Sequence, residues 1–119
     1  MTVIKIRIDF DSERYIGHGR IQLLELIGRH GSIAQAAKAM KMSYKRAWYL
    51  MDEFSAMFSV PLIERHHGGR GGGSTKLTPF GAELVRHYRE MEAKSLSVFA
   101  RPLASIEKYL ARPKKSARK

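Results

Sequence analysis

The chain has 119 residues and 44% hydrophobic content, enough for one domain with a modest core and too little for a second full domain. Its 22 basic and 11 acidic residues give a net charge of +11, which makes an anionic polymer, nucleic acid first, the default partner. The absence of cysteine excludes a disulfide framework and thiolate metal or redox chemistry, and no apolar run approaches the ~18 residues that cross a bilayer. With no secretory h-region at the N-terminus either, the expectation is a soluble cytoplasmic protein with no membrane partner.

From Val3 to Phe10 the chain alternates strictly, with Ile4, Ile6, Ile8 and Phe10 on one face and Lys5, Arg7 and Asp9 on the other, the period of a half-buried strand. Its expected partner is the strand-like region around residues 60–78, although pairing with a second subunit would leave the same pattern. Ser12 to Gly19 reads as a connector. Ile21, Leu23, Leu24, Leu26 and Ile27 then give a first helix its apolar side, Gly28 weakens the interior slightly, and Gly31 is placed to end it in a left-handed cap.

The stretch from Gly31 to Phe58 reads as two short helices joined by a tight turn. Ser32 and Gln35 have the spacing of a capping box, and Ile33, Ala36, Ala37 and Met40 form a narrow, mostly alanine face that permits close helix approach. Lys41 and Met42 make the turn, and Ser43 caps a second helix whose inward residues are Ala47, Leu50, Met51, Phe54 and Met57 or Phe58. Its outward face is Tyr44, Lys45, Trp48, Tyr49 and Asp52, flanked by Arg46. Basic side chains at a helix N-terminus suit phosphate, and such a helix fits the DNA major groove, the docking logic of a helix-turn-helix. An ordinary helical hairpin with a solvated basic face is the alternative.

After Pro61, residues Leu62 to Arg65 and Thr75 to Leu77 flank His66, His67 and the loop GGRGGGS, which predicts a β-hairpin wing with a flexible tip. Arg65, Arg70 and Lys76 put charge along it, where backbone could approach a sugar-phosphate edge. The loop fits neither a P-loop nor a dinucleotide fingerprint, which leaves a flexible linker as the other reading. Neighbouring strand residues point to opposite faces, so His66 and His67 are not expected to share a metal, and no metal site is predicted. His18, His30 and His87 stand alone and are read as surface or boundary residues.

Thr78 and Pro79 mark an N-cap followed by proline at the first helical position, so a long helix begins there. Leu84, Tyr88, Met91, Ser95 and Phe99 fall near a heptad stripe, with Val85 and Leu96 widening it. The preferred use is an antiparallel dimer interface, and packing back onto the first helix is the alternative. Proline at 102 should break or kink this helix before Leu103, Ile106, Tyr109 and Leu110 resume its apolar face. From Arg112 on, RPKKSARK is basic without an acid and is expected to be a disordered tail at 112–119, following residues 1–111 as one domain.

With these elements in order, the chain resembles the DNA-binding half of the ModE family of molybdate-responsive transcription regulators and, more distantly, the LysR-type winged helix. The resemblance covers about residues 3–100 and rests on GSIAQAAKAMKMSYKRAW, PLIERHHGGRGGGSTKLT and LTPFGAELV. It implies a winged helix-turn-helix that dimerises through the long helix from Pro79 and reads a palindromic operator. The residues it points to are Ser43, Tyr44, Lys45, Arg46, Trp48 and Tyr49 on the helix and Arg65 to Lys76 on the wing. Two departures stand out. Lys41 occupies a turn position where the family tends to have glycine, and the chain ends in its basic tail where molybdate-sensing members continue into small β-domains. No cofactor is therefore expected in this chain, with sensing either absent or on a separate effector-binding chain.

The expected fold class is mainly α with a small β-sheet, a winged helix-turn-helix with a long C-terminal dimerisation helix. The expected function is a sequence-specific regulator, a homodimeric repressor on double-stranded DNA; a nonspecific nucleoid or architectural protein is the alternative. Neither paired carboxylates nor a nucleophile with a nearby base stands in motif spacing, so no enzyme is expected.

Overall fold

A computed structural model describes residues 2–66 and 74–113. The order is β1 (Ile8–Asp9), β2 (Tyr15–Ile16), α1 (His18–His30), α2 (Ile33–Ala39), α3 (Tyr44–Ser55), β3 (Ile63–His66), β4 (Ser74–Leu77), α4 (Pro79–Val98) and α5 (Ala100–Glu107). It is a mainly helical winged helix-turn-helix with two small antiparallel sheets, β1 with β2 and β3 with β4.

The N-terminal strand does not pair with the region around 60–78. It folds back on the next few residues, with Ile8 opposite Ile16 and Asp9 opposite Tyr15. Asp11 closes this local hairpin: its Oδ1 accepts from the backbone of Glu13 and Arg14, at 3.0 and 2.7 Å. A loop this short costs far less entropy to close than pairing with a strand some fifty residues away. The Ser12–Gly19 connector thus contains β2, and its last two residues already belong to α1. Ahead of β1, the period of two survives without a sheet: Ile4 and Ile6 are half-buried while Val3, Lys5 and Arg7 are exposed. Tyr88 on α4 donates its hydroxyl to the Ile6 carbonyl at 2.5 Å, tying this segment to that helix. Phe10, expected on the inner face, is 54% exposed because the hairpin turn begins there.

Three helices form the body. Gly31 ends α1 at φ 71°, its N–H bonded to the Ile27 carbonyl. Ser32 Oγ accepts from the Gln35 amide at 3.1 Å, and Ser43 Oγ accepts from the Arg46 amide at 3.0 Å, so both expected caps form. Between α2 and α3, Lys41 adopts φ 58°, the left-handed conformation its glycine-like position demands. Ile21, Leu24, Ile27, Ala36, Ala37, Ala47, Met51 and Phe54 are 0–2% exposed and fill the space between the three helices.

The wing is clamped to this body from two sides. Thr75 N–H donates to the Gly31 carbonyl at 2.9 Å, extending the wing onto the end of α1. Gly28 lies against Leu77, so close that a Cβ would sit 2.9 Å from its Cγ; the glycine makes room for the wing rather than merely weakening the helix. Thr78 caps α4 by accepting from the Gly81 amide at 2.9 Å and donates to the Pro61 carbonyl at 2.7 Å.

The long helix departs from expectation in where its stripe points. Leu84 and Tyr88, predicted in a dimer stripe, are 8% and 0% exposed within this chain's own core, where they seal α4 against α1. As expected, the helix breaks near its proline. Continuing through Pro102 would set the ring against the Val98 carbonyl, so α4 ends at Val98 and Pro102 enters the first turn of α5, where its missing N–H costs nothing. Arg89 joins α4 to α1, donating to Glu25 at 2.7 and 3.2 Å and to Glu92 at 2.6 Å. These bonds hold the Glu25 carboxyl below its usual value.

Candidate nucleic-acid interface

The helix-turn-helix and the wing converge on one surface. Helix α3 is oriented by its buried residues Ala47, Met51 and Phe54, which fixes the opposite face to solvent. On that face Tyr44 and Tyr49 are 49% and 62% exposed. Lys45 and Arg46 are exposed as well, and neither forms an ion pair among the described residues. Ser43 caps the helix, leaving the other first-turn amides and the positive end of the dipole directed outward.

Trp48 differs from the reading of it as an outward residue. It is half-buried against the core, and its exposed surface carries two neighbours: Tyr44 meets it edge-on at 6.3 Å, and the Arg65 guanidinium of β3 lies 4.6 Å from its ring centre. The wing register explains how Arg65 gets there. Arg65 stands opposite Thr75, which is 5% exposed, so that pair shares the face turned towards the body, whereas Glu64 and Lys76 share the other. His66 Nε2 lies 3.0 Å from Glu64 Oε1, within hydrogen-bond distance. A cleft of about 140 Å³ lies where the start of α2, Tyr44 and the wing residues Arg65 and Thr75 meet. Arg70 and His67 lie outside the described residues, as does most of the basic tail.

Sequence reading missed the support behind α3. Arg20 of α1 is 9% exposed and donates to Glu53 at 2.9 Å, to the Tyr15 carbonyl at 3.3 Å and to Met57 Sδ at 3.1 Å. Tyr15 is sandwiched between the guanidinium groups of Arg7 and Arg20, at 3.9 and 4.0 Å from its ring centre. Glu53 in turn accepts the Tyr49 hydroxyl at 3.2 Å. One signal was available: Arg20 stands on the apolar stripe of its helix with Leu24 and Ile27, at helical spacing.

Of the expected dimer stripe, Met91 and Phe99 are 40% and 51% exposed, and Ser95 bonds back to the Glu92 carbonyl. Leu96, Val98, Ile106 and Tyr109 add exposed apolar surface to the same end of the chain. Among the described residues no group of three histidine or carboxylate side chains could hold a metal ion, and no helix is long and apolar enough to cross a membrane.

Residues 18–82, from α1 into the first turn of α4, match the family model described as bacterial regulatory helix-turn-helix protein, lysR family. The chain belongs to that family. Among curated relatives, this LysR-type chain is 40% identical over 97 residues to the molybdenum transport protein ModE of Azotobacter vinelandii, covering 82% of this chain and 36% of that protein. It is 39% identical over 98 residues to the molybdenum-pterin-binding protein MopA of Rhodobacter capsulatus, covering 80% and 37% of the two chains. To the DNA-binding transcriptional dual regulator ModE of Escherichia coli K12 it is 37% identical over 100 residues, covering 78% and 38%. The chain thus spans little more than a third of the length of these relatives and aligns with a ModE-like DNA-binding region.

Proposed function

We propose that this chain is a sequence-specific transcription regulator that binds a palindromic operator as a homodimer and represses by occluding a promoter. The observation that carries this reading is the exposed basic and aromatic start of α3, where Lys45 and Arg46 form no ion pair among the described residues, set beside a wing whose Arg65 reaches it. Recognition has two terms. Lys45, Lys76 and Arg70 attract phosphate in a salt-dependent way, and the face from Tyr44 to Tyr49, with Arg46 on it, discriminates bases. Dimerisation uses Met91, Ser95 and Phe99 of α4, with Leu96 and Val98 beside them, the part of the stripe that the core leaves free.

The names of two relatives refer to molybdenum transport and molybdenum-pterin binding, which supports a molybdenum species as the effector of this regulator.

The reading is tested by selection from a random duplex pool at about 150 mM salt, where nonspecific attraction is already weakened. Recovery of an inverted repeat with half-sites about one helical turn apart supports the dimeric regulator. A pool that binds yet stays random replaces it with a nucleoid or architectural protein that uses charge alone.

A further inference from the structure

Tyr49 presents its ring to solvent at the middle of the recognition helix, but its hydroxyl is not free. The hydrogen is donated to Glu53 Oε2 at 3.2 Å, one helical turn further on. Glu53 is itself held in place, because its Oε1 accepts from Arg20 Nη2 at 2.9 Å, and Arg20 is 9% exposed and stacked on Tyr15. Swinging this half-exposed carboxylate away would leave the buried Arg20 guanidinium without its charge partner, with only the Tyr15 carbonyl and Met57 Sδ as acceptors. A phenol whose single hydrogen is committed in this way offers only lone pairs to anything in front of it.

Major-groove chemistry makes that restriction informative. On any one strand adenine and cytosine present an exocyclic amino group, a donor, whereas guanine and thymine present a keto oxygen, an acceptor. Phosphate oxygens are acceptors too. An acceptor-only tyrosine can pair with the amino bases and with neither of the others.

We propose that Glu53 is a positioning residue that sets specificity: by holding the Tyr49 hydroxyl hydrogen, it makes Tyr49 select adenine or cytosine over guanine or thymine at one position of each half-site. This rests on the sequence-specific reading given above. It adds the chemical class that Tyr49 reads, and the arrangement extends back through Arg20 and Tyr15 to Arg7 of the N-terminal segment.

The substitution Glu53→Gln gives a directed test. Arg20 still needs an acceptor, so the glutamine carbonyl turns to Arg20 and its NH₂ faces Tyr49. The phenol oxygen then accepts, and its hydrogen is released toward the groove. The selection is run with the full chain, with Glu53→Gln and with Tyr49→Phe, each first checked by thermal melting. Preferences at the other positions of the site serve as an internal control for a folded interface.

The full chain is expected to favour adenine or cytosine by about three- to tenfold at one position per half-site, the net worth of one hydrogen bond. Glu53→Gln should move that preference to guanine or thymine, and Tyr49→Phe should erase it, with the rest of the site unchanged. A recovered site in which neither variant alters any amino-versus-keto preference overturns the assignment while leaving the regulator reading intact. A full-chain pool that stays random overturns both.

Discussion

Arg65 on the first wing strand lies over the ring of Trp48 on the recognition helix, 4.6 Å from its centre. This contact joins α3 and the wing, the two parts of the proposed interface, and a guanidinium over a ring face can keep its edge donors free for a phosphate. Replacing Trp48 with leucine removes the platform while keeping apolar volume against the core. Affinity for a selected duplex should fall by about 0.5–2 kcal/mol, the range of a cation–π contact. Arg65→Ala should also lower the slope of log K against log salt by about one, as the loss of one phosphate contact does. An unchanged slope in Arg65→Ala would restrict that side chain to a structural role.

Lys41 carries φ 58° at the turn between α2 and α3. A lysine in the left-handed region costs about 1–2 kcal/mol, partly offset by the larger chain entropy that glycine loses on folding. Lys41→Gly should therefore raise stability by about 0.5–1 kcal/mol in urea denaturation. A drop in the midpoint would mean that the lysine side chain contributes more than its backbone costs.

The two glycines packed against the wing region should respond unequally to alanine. At Gly81 a Cβ would lie 2.2 Å from the Leu62 carbonyl oxygen, whereas at Gly28 it would meet side-chain atoms only, Leu77 Cγ at 2.9 Å and Cδ1 at 3.0 Å. Backbone cannot yield as a leucine can, and alanine favours the helix over glycine by about 1 kcal/mol at either site. Gly81→Ala is expected to cost about 3 kcal/mol or more and Gly28→Ala less than about 2 kcal/mol, as overpacking does. Equal denaturation midpoints for the two variants would contradict this ranking.

Much of the fold was legible because local signals and tertiary packing agreed. The caps Ser32, Ser43 and Thr78, the left-handed Gly31 and the alanine face of α2 all form where the spacing places them. The errors came where a periodic pattern had more than one solution. Alternation in Val3–Phe10 reports a half-buried segment and not its partner, so packing against Tyr88 and turning back at Asp11 looked identical to joining the wing. The α4 stripe reports apolarity alone, and whether Leu84 and Tyr88 face their own core or a second copy depends on where α1 lies. In the candidate site, the positions on α3 followed from helical period. The Arg20–Glu53–Tyr49 chain did not, because it joins residues 33 positions apart through a fold that spacing cannot reveal.

Acid should loosen the contact between α1 and α4 at Glu25. Arg89 bonds to this carboxyl and lowers its folded-state value below the ordinary 4.5, against the opposing effect of burial. The resulting stability is fully present above the unfolded value and is lost as pH falls through the lowered folded one. Glu25→Gln should thus cost about 1–2 kcal/mol at pH 7, modest because the two side chains remain 31% and 29% exposed. The gap to the unsubstituted chain should shrink as the pH falls from about 5 toward 2. A gap that stays constant across that range would show that Glu25 contributes by packing and not by charge.

The central claim, that the start of α3 reads sequence, is tested most directly by fluorescence anisotropy. The full chain and Arg46→Ala are titrated with the selected duplex and a scrambled one at about 150 mM salt. The full chain should prefer the selected duplex by about 10³-fold or more, and Arg46→Ala should lose about 1–3 kcal/mol on that duplex with little change on the scrambled one. Equal affinity of the full chain for both duplexes would contradict the claim and leave charge alone as the basis of binding.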